Sequence, residues 1–185
     1  MKLMKLMNYT MTQDDIQLRL IELIDKETYY EECFAFEDED VRFYTGTSEH
    51  FTKDQIDKYI DRIIPDDTRY DYLILNDSKR MVGEVVLNDI DEESKRANLR
   101  ICLFRKEFFG KGYGSKALHL IIKFAFETLK LHRVELEVFE YNQRAKHCYE
   151  KVGFVMEGVK RDGLFYEGKY YNVITMAMLE SDYKK

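Results

Sequence analysis

The chain has 185 residues, of which 45% are hydrophobic and 14% aromatic, and this is enough to bury one substantial core. Its formal net charge of −6 argues against a nucleic-acid surface and suits basic or amine-bearing partners. The three scattered cysteines form no disulfide framework or CxxC pair, and no run of residues is apolar enough to span a bilayer. We therefore predict a single cytoplasmic domain over residues 1–185 that binds neither nucleic acid nor membrane, with residues 1–14 expected to fray.

The first half of the chain contains strand and helix patterns in turn. Residues 16–23 (IQLRLIEL) alternate apolar and polar side chains, which predicts a half-buried strand. After an acidic, helix-prone stretch, Thr52 is the predicted N-cap of an amphipathic helix. The next three strand-like runs are separated by polar turns, as in an antiparallel meander, and cover residues 69–76, 80–89 and 97–104.

The second half begins with a glycine-rich stretch and continues with a helix pattern over residues 115–129. Residues 133–140 alternate as a strand, and a short helix after them is predicted to end at Gly153. Residues 154–179 have the pattern of two strands joined by turns. This order predicts a mixed α/β fold with one sheet, mostly antiparallel, of about seven strands flanked by helices.

The glycine-rich stretch FFGKGYGSKAL places Gly110, Gly112 and Gly114 directly before a helix. A strand that passes through glycines into a helix presents free backbone N–H groups and a positive dipole end, which bind anions such as pyrophosphate. The P-loop and dinucleotide patterns both fail because position 115 is serine. GKGYG alone also allows the interpretation of an ordinary glycine-rich turn.

A second motif lies on the short helix after the strand of residues 133–140. Asn142, Ala145 and Tyr149 stand at i, i+3 and i+7, so a helix brings them onto one stripe. Taken singly, Asn142 would be interpreted as an N-cap and Tyr149 as an amphipathic core residue. Their occurrence together with GKGYG favours a binding site.

The pairing of GKGYG with the NxxAxxxYEKxGF motif resembles the GNAT superfamily of acyl-CoA-dependent N-acetyltransferases. The resemblance covers the chain from about residue 16 onward, and the fold that it implies is the GNAT fold. The residues of the glycine stretch and of the closing hairpin are similar to those of ribosomal-protein N-terminal acetyltransferases and bacterial spermidine acetyltransferases. Many members carry Gln or Arg where this chain has Phe109, but backbone N–H groups do most of the phosphate binding, so we expect the site to be retained.

The resemblance implies that acetyl-CoA is the co-substrate and that its pantetheine arm lies between residues 97–104 and 133–140. It implies that Tyr149 is the general acid for the CoA thiolate and that a backbone N–H near Leu103 stabilises the developing oxyanion. Asn142 would hold the pantetheine arm or the helix. The implied cofactor-binding residues are Cys102, Leu103, Phe104, Phe109, Gly110, Lys111, Gly112, Tyr113, Gly114, Ser115 and Asn142.

The reaction needs a neutral amine, whereas alkyl ammonium groups have a pKa of about 10.4, so the site must remove a proton. Glu84 is the candidate catalytic base, with Asp89 as a second candidate, although each could be a strand carboxylate that faces water. The resemblance places an acidic group beside the acceptor site. This group is either a solvated helix face or a substrate-binding funnel for a cationic amine, and it consists of Glu31, Glu32, Glu37 and Asp38.

The histidines and Cys148 indicate no further functional site. The histidines are scattered, so no metal is expected, and Cys148 is interpreted as a packing residue rather than a nucleophile. The leading hypothesis is an acetyl-CoA-dependent N-acetyltransferase of a polyamine or other small cationic amine. The alternatives are N-terminal acetylation of a ribosomal or other protein and, in another class, a catalytically silent acyl-CoA sensor. Family members often form homodimers, and no residue of this sequence decides for or against one.

Overall fold

The computed structural model describes residues 9–184, which form one sheet of eight strands with six α-helices around it. The strands are β1 (Met11–Gln13), β2 (Ile16–Leu20), β3 (Tyr70–Asn76), β4 (Met81–Asp91), β5 (Arg96–Leu103), β6 (Arg133–Phe139), β7 (Val155–Tyr166) and β8 (Lys169–Leu179). The helices are α1 (Lys26–Tyr30), α2 (Glu39–Thr45), α3 (Lys53–Ile63), α4 (Tyr113–Lys123), α5 (Gln143–Val152) and α6 (Glu180–Tyr183). One π-helical turn follows α1 over Glu31–Ala35, and another follows α4 over Phe124–Thr128.

The strand order is β1-β2-β3-β4-β5-β6-β8-β7, and among these pairs only β5 with β6 is parallel. This confirms the predicted mixed, mostly antiparallel sheet flanked by helices. The structure has one strand more than the predicted number of about seven. The extra strand is β1, which lies within the segment 1–14 that was expected to fray and buries Met11. Residues 1–8 of that segment lie outside the described part of the chain, and a single domain over the whole chain stays a prediction.

Alternation along β3 explains why helices cover both faces of the sheet. Tyr70, Tyr72 and Ile74 join the large cluster that also contains the buried side of α4. Leu73 and Leu75 point the other way, into a second cluster with α3. None of the helices in residues 9–184 is long and apolar enough to cross a bilayer.

The helix boundaries agree with the capping signals in the sequence. The Thr52 hydroxyl accepts the N–H of Gln55 at the start of α3, as predicted. Gly153 ends α5 in the left-handed region with a φ of 115°. The helix predicted from Ser115 begins two residues earlier, at Tyr113, and the predicted strand 16–23 ends at Leu20.

The strands β5 and β6 position the site because they pair only at their N-terminal ends. The parallel register joins residues 96–98 to residues 133–135, whereas β5 continues to Leu103 and β6 to Phe139. Opposite this point the register of β4 with β5 shifts between Asn88 and Asp91, an irregularity that bends strands. The strands therefore diverge and leave a gap between their C-terminal halves.

Candidate active site

The loop between β5 and α4 holds its glycines in conformations that other residues adopt with difficulty. Gly110 and Gly112 have φ angles of 74° and 84°. Gly112 is also the N-cap residue of α4, and no side chain there accepts from the helix N–H groups. A Cβ added at Gly110 or Gly114 would meet no described heavy atom within 4 Å, so this backbone faces open space. The first N–H groups of α4 are thus free to bind an anion.

This loop, the end of β5 and the helix α5 enclose a cleft of about 280 Å³ with mostly apolar walls. Ten of the predicted site residues line it together, which brings the two sequence motifs into one site. They are Cys102, Leu103, Phe109, Gly110, Gly112, Tyr113, Gly114, Ser115, Asn142 and Tyr149.

Two predicted cofactor-binding residues do not line the cleft. Lys111 is exposed, and Phe104 is only 1% exposed, with its ring packed edge-on against Tyr29. The Phe104 N–H donates to the Val82 carbonyl oxygen on β4 at 3.0 Å. Because backbone groups of an antiparallel strand alternate in direction, the N–H of Leu103 faces the gap toward β6 instead.

Tyr149 is 8% exposed and packs edge-on against Phe154, with ring centroids 6.0 Å apart. Burial raises the pKa of its phenol, and the neighbouring thiols of Cys148 and Cys102 add to the increase. Within residues 9–184 the hydroxyl has no hydrogen-bond partner. The Tyr149 phenol is therefore protonated at neutral pH and free to interact with a ligand.

Asn142 has the role that the N-cap interpretation predicts. Its side-chain oxygen accepts the Ala145 N–H at 3.2 Å, and its Nδ2 donates to the Tyr44 carbonyl at 3.4 Å. These bonds fix the start of α5 against α2. Asn142 still lines the cleft, so it both supports and borders the site.

A second cavity, of about 660 Å³, adjoins the cleft. Its walls come from α2, α3, the π-turn after α1 and the open halves of β5 and β6. The two cavities share part of their lining, including Ile101, Cys102, Asn142 and Tyr149. The Tyr149 phenol thus lies in the wall common to both.

The charged side chains in the lining of the larger cavity are mostly acidic. Five carboxylates and two guanidiniums belong to it: Glu37, Asp38, Glu49, Glu84, Glu137, Arg42 and Arg100. A cavity with this lining favours a cationic ligand.

Glu84 is half-buried on β4 and accepts a hydrogen bond from the Tyr29 hydroxyl at 2.7 Å. Burial raises the pKa of its carboxyl, although Arg100 and the Tyr29 hydroxyl oppose the increase. The second candidate base, Asp89, is exposed and lines neither cavity. Of the two predicted candidates, only Glu84 can reach a ligand in the acidic cavity.

The four predicted acidic residues separate into two pairs. Glu37 and Asp38 line the acidic cavity, whereas Glu31 and Glu32 line neither cavity. Glu32 is instead held by the guanidiniums of Arg80 and Arg105 at 3.1 and 3.0 Å. This pairing leaves the Glu32 carboxylate little free charge to attract a ligand.

The two predicted acids that do line the cavity, Glu37 and Asp38, also have partners within the protein. Glu37 pairs with Arg42 at 3.0 Å and with His50 at 2.7 Å. Asp38 caps α2 by accepting from two helix N–H groups, and its second oxygen accepts the Lys106 N–H at 2.7 Å. Asp38 therefore ties the wall of the acidic cavity to the segment that leads into the glycine loop.

Sequence reasoning missed several lining residues, among them Tyr29, Glu49, Arg100, Glu137 and Arg144. The alternation of ANLRICLF could have placed Ile101 and Leu103 on the same side of β5. Nothing in the local sequence could have brought Tyr29 to Glu84, because they are 55 positions apart.

The fold and the two joined cavities are those expected of a group-transfer enzyme: a cleft that can bind an anion, here named the donor cleft, and an acidic cavity beside it. The chain belongs to the GNAT acetyltransferase family, since residues 15–155 match the family model described as "Acetyltransferase (GNAT) domain". It is an N-acetyltransferase, and acetyl-CoA is its co-substrate. The cleft fits this molecule because glycine N–H groups suit phosphate oxygens and apolar walls suit a long, thin arm. Within residues 9–184 no group of three or more His, Cys, Asp or Glu side chains could hold a metal ion.

Named relatives are similar over about two thirds of the chain. The Bacillus subtilis (strain 168) protein named "Putative ribosomal N-acetyltransferase YdaF" is 30% identical over 69% of this chain and 73% of its own length. A spermidine N(1)-acetyltransferase of Vibrio cholerae is 29% identical over 70% of this chain and 75% of its own.

The solved structures extend the similarity to nearly the whole chain. The crystal structure of spermidine N-acetyltransferase from Vibrio cholerae in complex with CoA and spermine has a TM-score of 0.84 and 25% identity. The match covers 94% of this chain and 100% of that one.

Proposed function

We propose that this N-acetyltransferase acetylates a primary amine of a small cationic acceptor, with a polyamine as the favoured substrate. The observation that carries the proposal is the meeting of the glycine-backed cleft with the acidic cavity at Tyr149. An acceptor that binds in the acidic cavity places its amine beside the wall that this cavity shares with the cleft for acetyl-CoA. The mostly acidic lining favours an acceptor with more than one positive charge.

Glu84 is the proposed general base. An amine that enters as an ammonium ion must lose a proton before it can attack the thioester that bound acetyl-CoA supplies. Burial raises the pKa of the Glu84 carboxyl toward the working pH, which makes it a better proton acceptor. The Tyr29 hydroxyl fixes the orientation of the carboxylate.

Tyr149 is the proposed general acid. The leaving thiolate needs a proton, and the raised pKa of the phenol keeps that proton on Tyr149 at neutral pH. The backbone N–H of Leu103 faces the same gap and is the proposed donor to the developing oxyanion.

The relatives support an amine acceptor but differ in which one. The Vibrio cholerae relative is named for spermidine and its structure was solved with spermine, whereas the Bacillus subtilis relative is named for a ribosomal substrate. Because an amine acceptor can carry a positive charge in either case, the discriminating observation is whether added charges on a small amine improve the reaction.

The test is a steady-state assay of CoA release with acetyl-CoA and a panel of acceptors. The panel holds spermidine, spermine, a simple alkyl monoamine, an aminoglycoside and peptides with ribosomal-protein N-termini. We expect kcat/KM to be highest for the polyamines and to fall as salt rises. A higher kcat/KM for a peptide would favour N-terminal acetylation, and CoA binding without turnover of any acceptor would favour a silent sensor.

One cavity variant makes the charge argument specific. Glu49 lines the acidic cavity, and its carboxylate has no partner within the described residues. Glu49→Gln should raise KM for spermidine by about two- to fivefold and weaken its salt dependence. The matched control is Glu93→Gln, which removes the same charge from an exposed turn between β4 and β5. Equal KM values in both variants would contradict an electrostatic role for the cavity.

A further inference from the structure

Among the residues that the structure describes, the donor cleft has one charged side chain in its lining, that of Arg144 on α5. The two lysines of the glycine loop and the first turn of α4 do not line the cleft: Lys111 is exposed, and the ammonium of Lys116 is paired with Asp15. The chain carries a net charge of −6, so its overall field repels an anionic ligand. A molecule with several phosphoryl groups therefore finds a single favourable side-chain charge in this cleft.

The Arg144 guanidinium is fixed by two aromatic rings rather than by a carboxylate. Its central carbon lies 3.6 Å from the centroid of Phe109 and 5.0 Å from that of Tyr44. Cation–π contacts of this kind hold the plane of the group while leaving its N–H edges unused. Within residues 9–184 no carboxylate pairs with Arg144.

We propose that Arg144 binds a phosphoryl group at the nucleotide end of CoA and that Phe109 is the platform that positions it. The bare N–H groups of the glycine loop and the fork of Arg144 face the same cleft, so one anionic group can be bound by both. This assignment gives a reason for an aromatic residue directly before Gly110. The inference rests on the proposed function only in requiring CoA as the ligand, and it holds for any acceptor.

Isothermal titration with CoA, 3′-dephospho-CoA and pantetheine tests the proposal. We expect Arg144→Gln to weaken CoA binding about tenfold or more, because a charge-assisted hydrogen bond is lost, and to reduce its salt dependence. Pantetheine, which has no phosphoryl group, should bind both forms equally within about twofold. The control is Lys151→Gln, which removes an exposed positive charge from the same helix and should leave CoA binding unchanged.

Phe109→Leu tests the platform separately from the charge. It keeps the guanidinium but removes the ring, so CoA binding should weaken about threefold. Because the two residues act as one unit, the double variant should bind no more weakly than Arg144→Gln alone. If Arg144→Gln fails to fold by circular dichroism, Arg144→Lys carries the test, since it keeps the charge and loses the planar fork.

The comparison of CoA with 3′-dephospho-CoA shows which phosphoryl group of CoA Arg144 binds. An equal loss for CoA and dephospho-CoA assigns Arg144 to the pyrophosphate, and a loss for CoA alone assigns it to the 3′-phosphate. Unchanged CoA binding in Arg144→Gln, or an equal loss for pantetheine, would overturn the proposal. A wild-type chain that binds no CoA would instead overturn the proposed function itself.

Discussion

The donor cleft and the acidic cavity share a wall but are built in different ways. The anion-binding part of the cleft comes from one contiguous loop and the start of α4, and side chains of α2, β5 and α5 complete the lining. The cavity draws its carboxylates from four separate segments of the chain, between Glu37 and Glu137. The anion-binding loop of the cleft is thus a local structure, whereas the acidic lining of the cavity is a product of the tertiary fold.

This difference explains why one fold can keep a common donor while its acceptor varies. Backbone N–H groups can bind an anion whichever side chains flank them. A cavity lined by side chains changes its ligand whenever one carboxylate is replaced or neutralised. We therefore expect variants of the cleft to change CoA binding and variants of the cavity to change the choice of amine.

The largest effect should come from Tyr149, which belongs to both regions. Tyr149→Phe should lower kcat by about 10²- to 10⁴-fold, the usual contribution of a general acid, while the Kd for CoA stays within about twofold. Because the hydroxyl has no partner within residues 9–184, its loss should not lower the melting temperature. Steady-state kinetics, titration and thermal unfolding measure the three quantities.

The matched control is Tyr170→Phe, since this tyrosine is 64% exposed on β8 and belongs to neither cavity lining. It should leave kcat unchanged. A wild-type rate in Tyr149→Phe would exclude Tyr149 as the general acid. The residue would then only line the wall that the two cavities share.

Glu84 tests the acceptor side, and its effect should be the next largest. Glu84→Gln should lower kcat/KM at neutral pH by about 10²-fold and remove the rise of activity with pH that follows its deprotonation. Asp89→Asn, the other strand carboxylate that the sequence offers as a base, should have the wild-type rate. Loss of activity in Asp89→Asn alone would contradict the assignment of Glu84.

The same substitution has a signature in stability. Because the pKa of Glu84 is raised in the folded state, the native protein holds this proton more tightly than the unfolded chain does. The resulting stabilisation is complete below the unfolded pKa of about 4.3 and is lost as pH rises through the folded value. Glu84→Gln should therefore unfold at a higher temperature than the wild type above that range and at a similar one below it, as thermal melts against pH would show.

The fold was largely predictable because its signals are local. Strand-like runs bounded by turn residues predicted the seven longer strands, and Thr52 and Gly153 marked a helix start and a helix end. The strand β1 was missed because three residues are too few for a periodic pattern. The donor cleft was predictable for the same reason, since GKGYG and the Asn142–Tyr149 stripe each lie within one short segment.

The acidic cavity was predictable only in part. Glu37 and Asp38, two of the acids that the resemblance implied, line this cavity, but the sequence could not show which acids are neutralised by arginines from other elements, as Glu32 is by Arg80 and Arg105. Pairing of this kind depends on contacts between residues 48 and 73 positions apart. Composition therefore indicated an acidic region without separating its free charges from its paired ones.

Variants of Asp38 test the distinction between free and paired carboxylates, and we expect them to have the smallest effect on catalysis. Its oxygens accept three backbone N–H groups, from the first turn of α2 and from Lys106. Asp38→Ala should lower the free energy of unfolding by about 1–3 kcal/mol, because a helix cap and a charge-assisted bond are both lost. Asp38→Asn keeps one capping oxygen and should lower it less. Urea unfolding measures both losses.

If Asp38 attracted the acceptor by its charge, Asp38→Asn would raise KM for spermidine as much as Glu49→Gln does. We expect a change of at most about twofold, because three N–H donors already satisfy this carboxylate. A fivefold rise of KM with normal stability would instead show that a structurally bound acid still contributes to the field of the cavity. The number of backbone donors to a carboxylate would then be a poor guide to its free charge, and the whole acidic segment before α2 would have to be counted in acceptor binding.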